Sequence, residues 1–177
     1  LSKIRFGSTL NIAASLASPC KVHVGLRGVW SEDLLKASAE VMKEIGYERG
    51  LVVHGLDSDS GLGMDEISLC GDTKVVEFRN GSMAEYEVTP EDFGLTRAKI
   101  EGISVTKDIQ SEAQRFEDVL AGSGPQPCID FSCLNAGAIL YAAGECDSIR
   151  EGISCCQAAV TRGRAYEKLE QWRKVQR

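Results

Sequence analysis

Only two histidines, His23 and His54, occur in the 177 residues, and no two of the seven cysteines form a Cys-x-x-Cys pair. A structural zinc site is built from His and Cys ligands at such spacings, so that class is set aside. No apolar run approaches the ~20 residues needed to cross a bilayer. No basic start followed by an apolar stretch marks a signal peptide. Positive charge is also in deficit, with 26 acidic against 20 basic residues and a net charge of −6. A nucleic-acid or anionic-membrane surface needs concentrated positive charge, so neither partner is expected. There is no internal repeat and no low-complexity segment.

What remains is ordinary for a globular protein: 43% hydrophobic and 26% charged residues, enough for one substantial core. Most of the cysteines (Cys20, Cys70, Cys128, Cys133, Cys146, Cys155 and Cys156) lie beside Ala, Ile and Leu in predicted helices. They read as reduced core thiols in a cytoplasmic protein. The chain opens Leu-Ser-Lys rather than with Met, which reads as a processed or excised piece of something longer.

The stretch from Arg49 to Glu66 organises the rest. Leu51-Val52-Val53 is a short apolar run that reads as a buried strand of a parallel sheet. The polar loop after it leaves the strand's carboxyl end, where open α/β sheets place their ligands, and it ends in Asp65 and Glu66. Before it, residues 21–29 alternate as a strand. Ser31 is a good N-cap for a helix ending at Gly46. Strand, helix and strand make a βαβ unit.

After Glu66, residues 74–79 and 82–88 are β-like runs joined by Asn80-Gly81, a strong hairpin signal, attached beside the main sheet. Thr89 to Leu95 is a turn, and residues 96–110 carry no assignment. Ser111-x-x-Gln114 reads as a capping box for a helix to Leu120. Residues 129–143 are apolar nearly all round, as in a buried helix ended by Gly144. Ser148-x-x-Glu151 is a second capping box, and a charged amphipathic segment runs beyond Gly163.

Two glycine patterns in the loop fail. Gly61-Leu62-Gly63 resembles a dinucleotide loop, but Glu66 stands at the third glycine position. Asp57-Ser58-Asp59-Ser60-Gly61 resembles a calcium loop, but Gly61 takes a ligand position. Asp65 and Glu66 suit magnesium, which takes one or two carboxylates and completes its shell with substrate phosphates and water. As residues alone, the doublet reads first as a solvated surface pair, since acidic doublets at loop ends are common. His54 is a candidate base or phosphate donor, or a ring satisfied by a backbone carbonyl. Asn135, inside the buried helix, must find a polar partner.

Several stretches in order resemble one family: Leu51-Val52-Val53-His54-Gly55, Met64-Asp65-Glu66-Ile67-Ser68, Thr89-Pro90-Glu91-Asp92-Phe93-Gly94-Leu95, Leu134-Asn135-Ala136, Ala142-Ala143-Gly144 and Ser148-Ile149-Arg150-Glu151-Gly152. Together they look like the carboxyl-terminal part of anthranilate phosphoribosyltransferase, from about Phe6 to Lys168, in an archaeal-type or divergent member. The resemblance implies an α/β domain of the nucleoside phosphorylase/phosphoribosyltransferase type: a mostly parallel sheet flanked by helices, with an antiparallel hairpin. It implies transfer of the phosphoribosyl group of phosphoribosyl pyrophosphate to anthranilate in tryptophan biosynthesis, with Mg2+ held by Asp65 and Glu66. Ser15 and His54 are the candidate substrate contacts. By the same resemblance, residues 1–177 are the carboxyl-terminal portion of the catalytic domain. The amino-terminal helical domain, through which family members form homodimers, lies outside this chain together with the glycine-rich phosphate loop. The piece alone is then expected to be inactive.

Departures from the family bear on the acceptor. Its Gly-Pro-Leu-x-Asn-Pro segment reads Ala14-Ser15-Leu16-Ala17-Ser18-Pro19, and its Gly-Gly-Asp segment reads Val105-Thr106-Lys107-Asp108. Glu112 stands near the place of an expected Asn, and Arg5 is out of register with the family's anthranilate-binding arginine. A related phosphoribosyltransferase or nucleoside phosphorylase with another acceptor is the alternative, and a non-catalytic paralogue is a third.

Overall fold

The alternation of Val24 and Leu26 yields β1, Val24–Gly28, shorter than the 21–29 expected. It is followed by a 3-10 turn, Glu32–Leu34, and then α1, Leu35–Glu44. The computed structural model describes Leu16 and residues 21–176. Ser31 has the extended backbone of an N-cap but makes no side-chain capping bond. On α1, Leu35, Ser38, Ala39 and Met42 are buried, whereas Val41 and the C-cap residue Ile45 are exposed.

β2, Arg49–Leu56, is the strand expected around Leu51–Val53, extended at both ends. It pairs in parallel with β1 and antiparallel with the two-residue β3, Gly63–Met64. On its other edge lies β4, Thr73–Arg79, again antiparallel, and β5, Ser82–Val88, closes the order β1-β2-β4-β5. The α/β class and the hairpin are as expected. The hairpin turns at Asn80 and Gly81, with φ +52° and +82°, as a two-residue turn of matching twist requires. The sheet differs from the mostly parallel one expected. Among the described residues it is mixed, with one parallel pairing, and the hairpin continues it instead of standing beside it. The connection from β2 to β4, residues 57–72, contains no helix to carry the chain back to the far end of the sheet, as a parallel return requires.

Thr89 caps a 3-10 turn, Pro90–Phe93, in a reciprocal box with Asp92, and Gly94 leaves it at φ +78°. The unassigned region holds a second short turn, Ile100–Gly102. Four helices follow: α2, Ile109–Ala121; α3, Gln126–Ala143; α4, Ile149–Thr161; and α5, Arg164–Val175. The capping box expected at Ser111 is corrected. Asp108 is the N-cap, and its carboxylate accepts the Ser111 amide at 2.9 Å. A carboxylate three residues upstream of a free helix amide is the better acceptor. Ser148 does cap α4, but Glu151 reaches back to the amide of Asp147, not to that of Ser148.

One face of the sheet buries Leu51, Val53 and Val75 under Ile129, Cys133, Leu134 and Ala138 of α3 and Ile149 and Ile153 of α4. The opposite face buries Val52, Val76 and Phe78 under Leu35, Ala39 and Met42 of α1, with Leu16. Strand alternation divides Leu51-Val52-Val53 between the two cores. α3 and α4 cross at a glycine contact: a β-carbon on Gly152 would lie 2.3 Å from the Gly137 carbonyl oxygen. Among the described residues no helix is long and apolar enough to cross a membrane.

Candidate functional site

The acidic doublet lies on the return from β2 towards β4, over the α3 face of the sheet. Two glycines make that path possible. A β-carbon on Gly28, the last residue of β1, would stand 1.5 Å from the carbonyl oxygen of Asp65. One on Gly55, near the end of β2, would stand 2.4 Å from the carbonyl oxygen of Glu66. Real β-carbons do not approach backbone so closely, so the absence of side chains at both positions lets the doublet's backbone rest on the strand ends.

From above, α3 grips the next residue. Asn135 Oδ1 accepts the Ile67 amide at 2.9 Å, and Asn135 Nδ2 donates to the Ile67 carbonyl at 3.0 Å. Nδ2 also donates to Phe131 O, one turn back in α3, at 3.1 Å. The polar group that had to find a partner therefore holds the loop after the doublet. Ser68 completes the frame: its amide donates to Thr73 Oγ1 at 2.8 Å and its hydroxyl to Leu56 O at 2.6 Å.

Backbone fixation leaves the two carboxylates exposed at the carboxyl end of β2, with no ion pair or side-chain hydrogen bond among the described residues. Partial burial pushes the Glu66 carboxyl above its ordinary value, and the Asp65 charge beside it adds to the shift. Two hard anionic oxygen donors, held close enough to repel and lacking a cation among the described residues, fit a magnesium ion. No third His, Cys, Asp or Glu joins them to make a closed protein cage among the described residues. The remaining oxygens of the shell would come from a substrate and from water.

His54 is not brought into this set. Between Val53 and Gly55, alternation sends its side chain to the α1 face, away from the face that carries the doublet. The buried ring bonds through Nδ1 to Val29 O at 2.8 Å, so that nitrogen carries the proton. A β-carbon on Gly63 would lie 2.4 Å from His54 Cε1, so the loop packs on the ring. The reading of a ring satisfied by a backbone carbonyl is met at Nδ1. Ser15, with the rest of the altered 14–19 segment except Leu16, and Arg5 lie outside the described residues.

Asp57 anchors the loop itself, accepting the Ser60 hydroxyl at 2.5 Å and the amides of Asp59 and Ser60 at 3.3 Å. The Ser60 bond holds its carboxyl below the usual aspartate value. The failed calcium pattern is thus an Asx-type turn. Glu112 is likewise absorbed into its own segment, accepting the Thr106 amide at 2.6 Å and pairing with Arg115 at 2.5 Å.

Three frame residues were not singled out in the sequence: Gly28, Gly55 and Arg97. Glycine at a strand end was the available signal for the first two. Arg97 joins Ser58, Asp72 and Glu91 at 2.7, 2.9 and 3.1 Å, tying the loop after β2 to the Pro90 turn.

Comparison with known proteins identifies the family. The glycosyl transferase family, a/b domain, matches residues 3–166. Anthranilate phosphoribosyltransferase of Geobacillus kaustophilus is 36% identical over 171 residues, covering 97% of this chain and 49% of that protein. The Rubrobacter xylanophilus enzyme is 37% identical over 176 residues, covering 99% and 50%. The crystal structure of the Thermus thermophilus enzyme superposes with a TM-score of 0.71 at 36% identity, covering 82% of this chain and 40% of that one. A Saccharomyces cerevisiae enzyme in complex with PRPP and Mg shares the fold, with a TM-score of 0.65 at 20% identity over the same shares. The chain spans about half the length of the curated relatives it matches.

Proposed function

The chain belongs to the glycosyl transferase family, a/b domain, and from that membership we propose that it forms the metal-bearing wall of an anthranilate phosphoribosyltransferase. In this reading the amino nitrogen of anthranilate bonds to C1 of the ribose as the C1–O bond to pyrophosphate breaks, and the nitrogen then loses a proton. The observation that carries the reading is the seat of Asp65 and Glu66, resting on Gly28 and Gly55 and gripped from above by Asn135 through Ile67. Fixed ligands matter because an electrostatic site accelerates a reaction only when its groups are oriented beforehand.

Asp65 and Glu66 would hold magnesium, which when bound neutralises charge on the departing pyrophosphate. This chain's own residues supply position. Gly28 and Gly55 set the height of the doublet above the sheet, and Asn135 stops Ile67 from sliding. Asp57 and Arg97 shape the loop in front. The glycine-rich phosphate loop, the anthranilate contacts and the helices of a homodimer belong, in the same reading, to an amino-terminal portion such as the relatives carry. Residues 1–177 are then the carboxyl-terminal portion of the catalytic domain.

The test joins the amino-terminal half of the Geobacillus kaustophilus relative to this chain and measures pyrophosphate release with phosphoribosyl pyrophosphate, anthranilate and Mg2+. Magnesium-dependent release that requires anthranilate is expected; a folded hybrid with no release would refute the assignment. The altered Val105-Thr106-Lys107-Asp108 segment favours a second reading, in which another aromatic amine or a nucleobase is the acceptor. Release that depends on such an acceptor and not on anthranilate would select it.

A further inference from the structure

Outside the site, the sulfurs of Cys146 and Cys155 lie 4.0 Å apart. Cys146 is buried in the turn between α3 and α4, and Cys155 is exposed on the second turn of α4. Among the described residues this is the one hydrogen-bond contact between two cysteines. We propose that Cys146 and Cys155 form an oxidant-responsive dithiol, which hydroperoxides convert to an intramolecular disulfide.

Position assigns each thiol a role. Cys155 faces solvent and meets the peroxide. Its sulfur attacks one peroxide oxygen, the O–O bond breaks, and a sulfenic acid and one water result. The Cys146 sulfur then attacks the Cys155 sulfur and displaces the hydroxyl as a second water. In total the two thiols give up two electrons and two protons, and one hydrogen peroxide becomes two waters. Burial and the thiol–thiol contact push the Cys146 pKa up to about 11, which keeps it protonated and out of the first step; in the second step its proton leaves with the departing hydroxyl. The sulfurs must approach to about 2.0 Å. Cys146 lies in the non-helical run before the Ser148 cap, where the backbone can follow without breaking a helical hydrogen bond. Cys156 is the neighbour that must be distinguished. It is only partly exposed and packs against the α3 core, with its pKa raised by burial.

The chain is treated under native conditions with equimolar hydrogen peroxide, alkylated, digested and mapped by mass spectrometry. A cross-linked peptide pair joining Cys146 to Cys155, with a mass loss of about two hydrogens, is expected. Cys146→Ala should abolish the cross-link and leave Cys155 as a sulfenic acid that dimedone captures. Cys155→Ser, an exposed change that keeps the fold, should leave Cys146 reduced at the same dose. Circular dichroism before treatment checks that each variant is folded. Over-oxidation of Cys155 in the unsubstituted chain while Cys146 stays alkylatable would overturn the proposal. So would a predominant Cys155–Cys156 link.

Discussion

The carbonyl oxygen of Asp65 occupies the space in which any side chain at Gly28 would begin. Strand β1 and the acidic doublet are therefore in backbone contact, and the identity of one residue sets the height of the other. Gly28→Ala should push the Asp65–Glu66 segment off the sheet. An overpacked contact of this kind costs about 1–3 kcal/mol or more. Urea unfolding of the variant should show that loss, and a hybrid enzyme carrying it should lose activity beyond what the stability change explains. An unchanged unfolding midpoint would contradict the contact.

Asn135→Leu keeps the volume in α3 but removes the grip on Ile67. The Ile67 amide and carbonyl then lose their partner in a buried setting, at about 1–3 kcal/mol for each unsatisfied group. Asn135→Asp should recover part of the loss, because its carboxylate can still accept the Ile67 amide while it repels the carbonyl. The expected order of stability is Asn, then Asp, then Leu, read from chemical denaturation.

Asp65→Asn with Glu66→Gln should separate chemistry from stability. In the hybrid enzyme, turnover should fall by about a hundredfold or more, the scale of losing a main electrostatic group. In the chain alone, stability at neutral pH should hold or rise. The sign follows from Glu66. Its folded carboxyl binds a proton more readily than the unfolded one, so ionisation disfavours the folded state as pH rises above the unfolded value of 4.5. Glu66→Gln removes that penalty.

Asp57 has the opposite sign. Its folded carboxyl is held below the unfolded value of 3.8 by the Ser60 hydroxyl. Its contribution is complete above pH 3.8 and is lost as pH falls towards the folded value. Urea unfolding at pH 5 and pH 3 should show a smaller pH dependence in Asp57→Asn than in the unsubstituted chain. Equal dependence would place the acid sensitivity elsewhere.

Legibility in the sequence followed the range of the forces involved. The Asn80-Gly81 turn, the Gly144 helix end and the apolar α3 are set by neighbouring residues, and each lies where its pattern put it. The direction of β4 was harder to read, because period-two alternation is the same in parallel and antiparallel strands. Ser111 was favoured as a cap because its box has the right spacing, yet Asp108 competes for the same amide with a charged oxygen. At the site, the doublet could be read from residue type, whereas its seat could not. A glycine at a strand end signals a close approach without naming what approaches, and an amide clamped across 68 residues leaves no local pattern.

That span gives the Asn135 clamp a place in the folding order. The bond from Ser68 to Thr73 closes over five residues, and the β2–β4–β5 meander is built from short closures. Joining Asn135 to Ile67 requires a loop of 68 residues and the whole of α3 to be in place. Closure entropy grows with loop length, so the expected order is the acidic loop on a nascent meander first and the Asn135 lock only when the helical layer arrives. Substitutions at Asn135 should accordingly speed unfolding and leave the folding rate nearly unchanged, which chevron kinetics would record as a φ-value near zero.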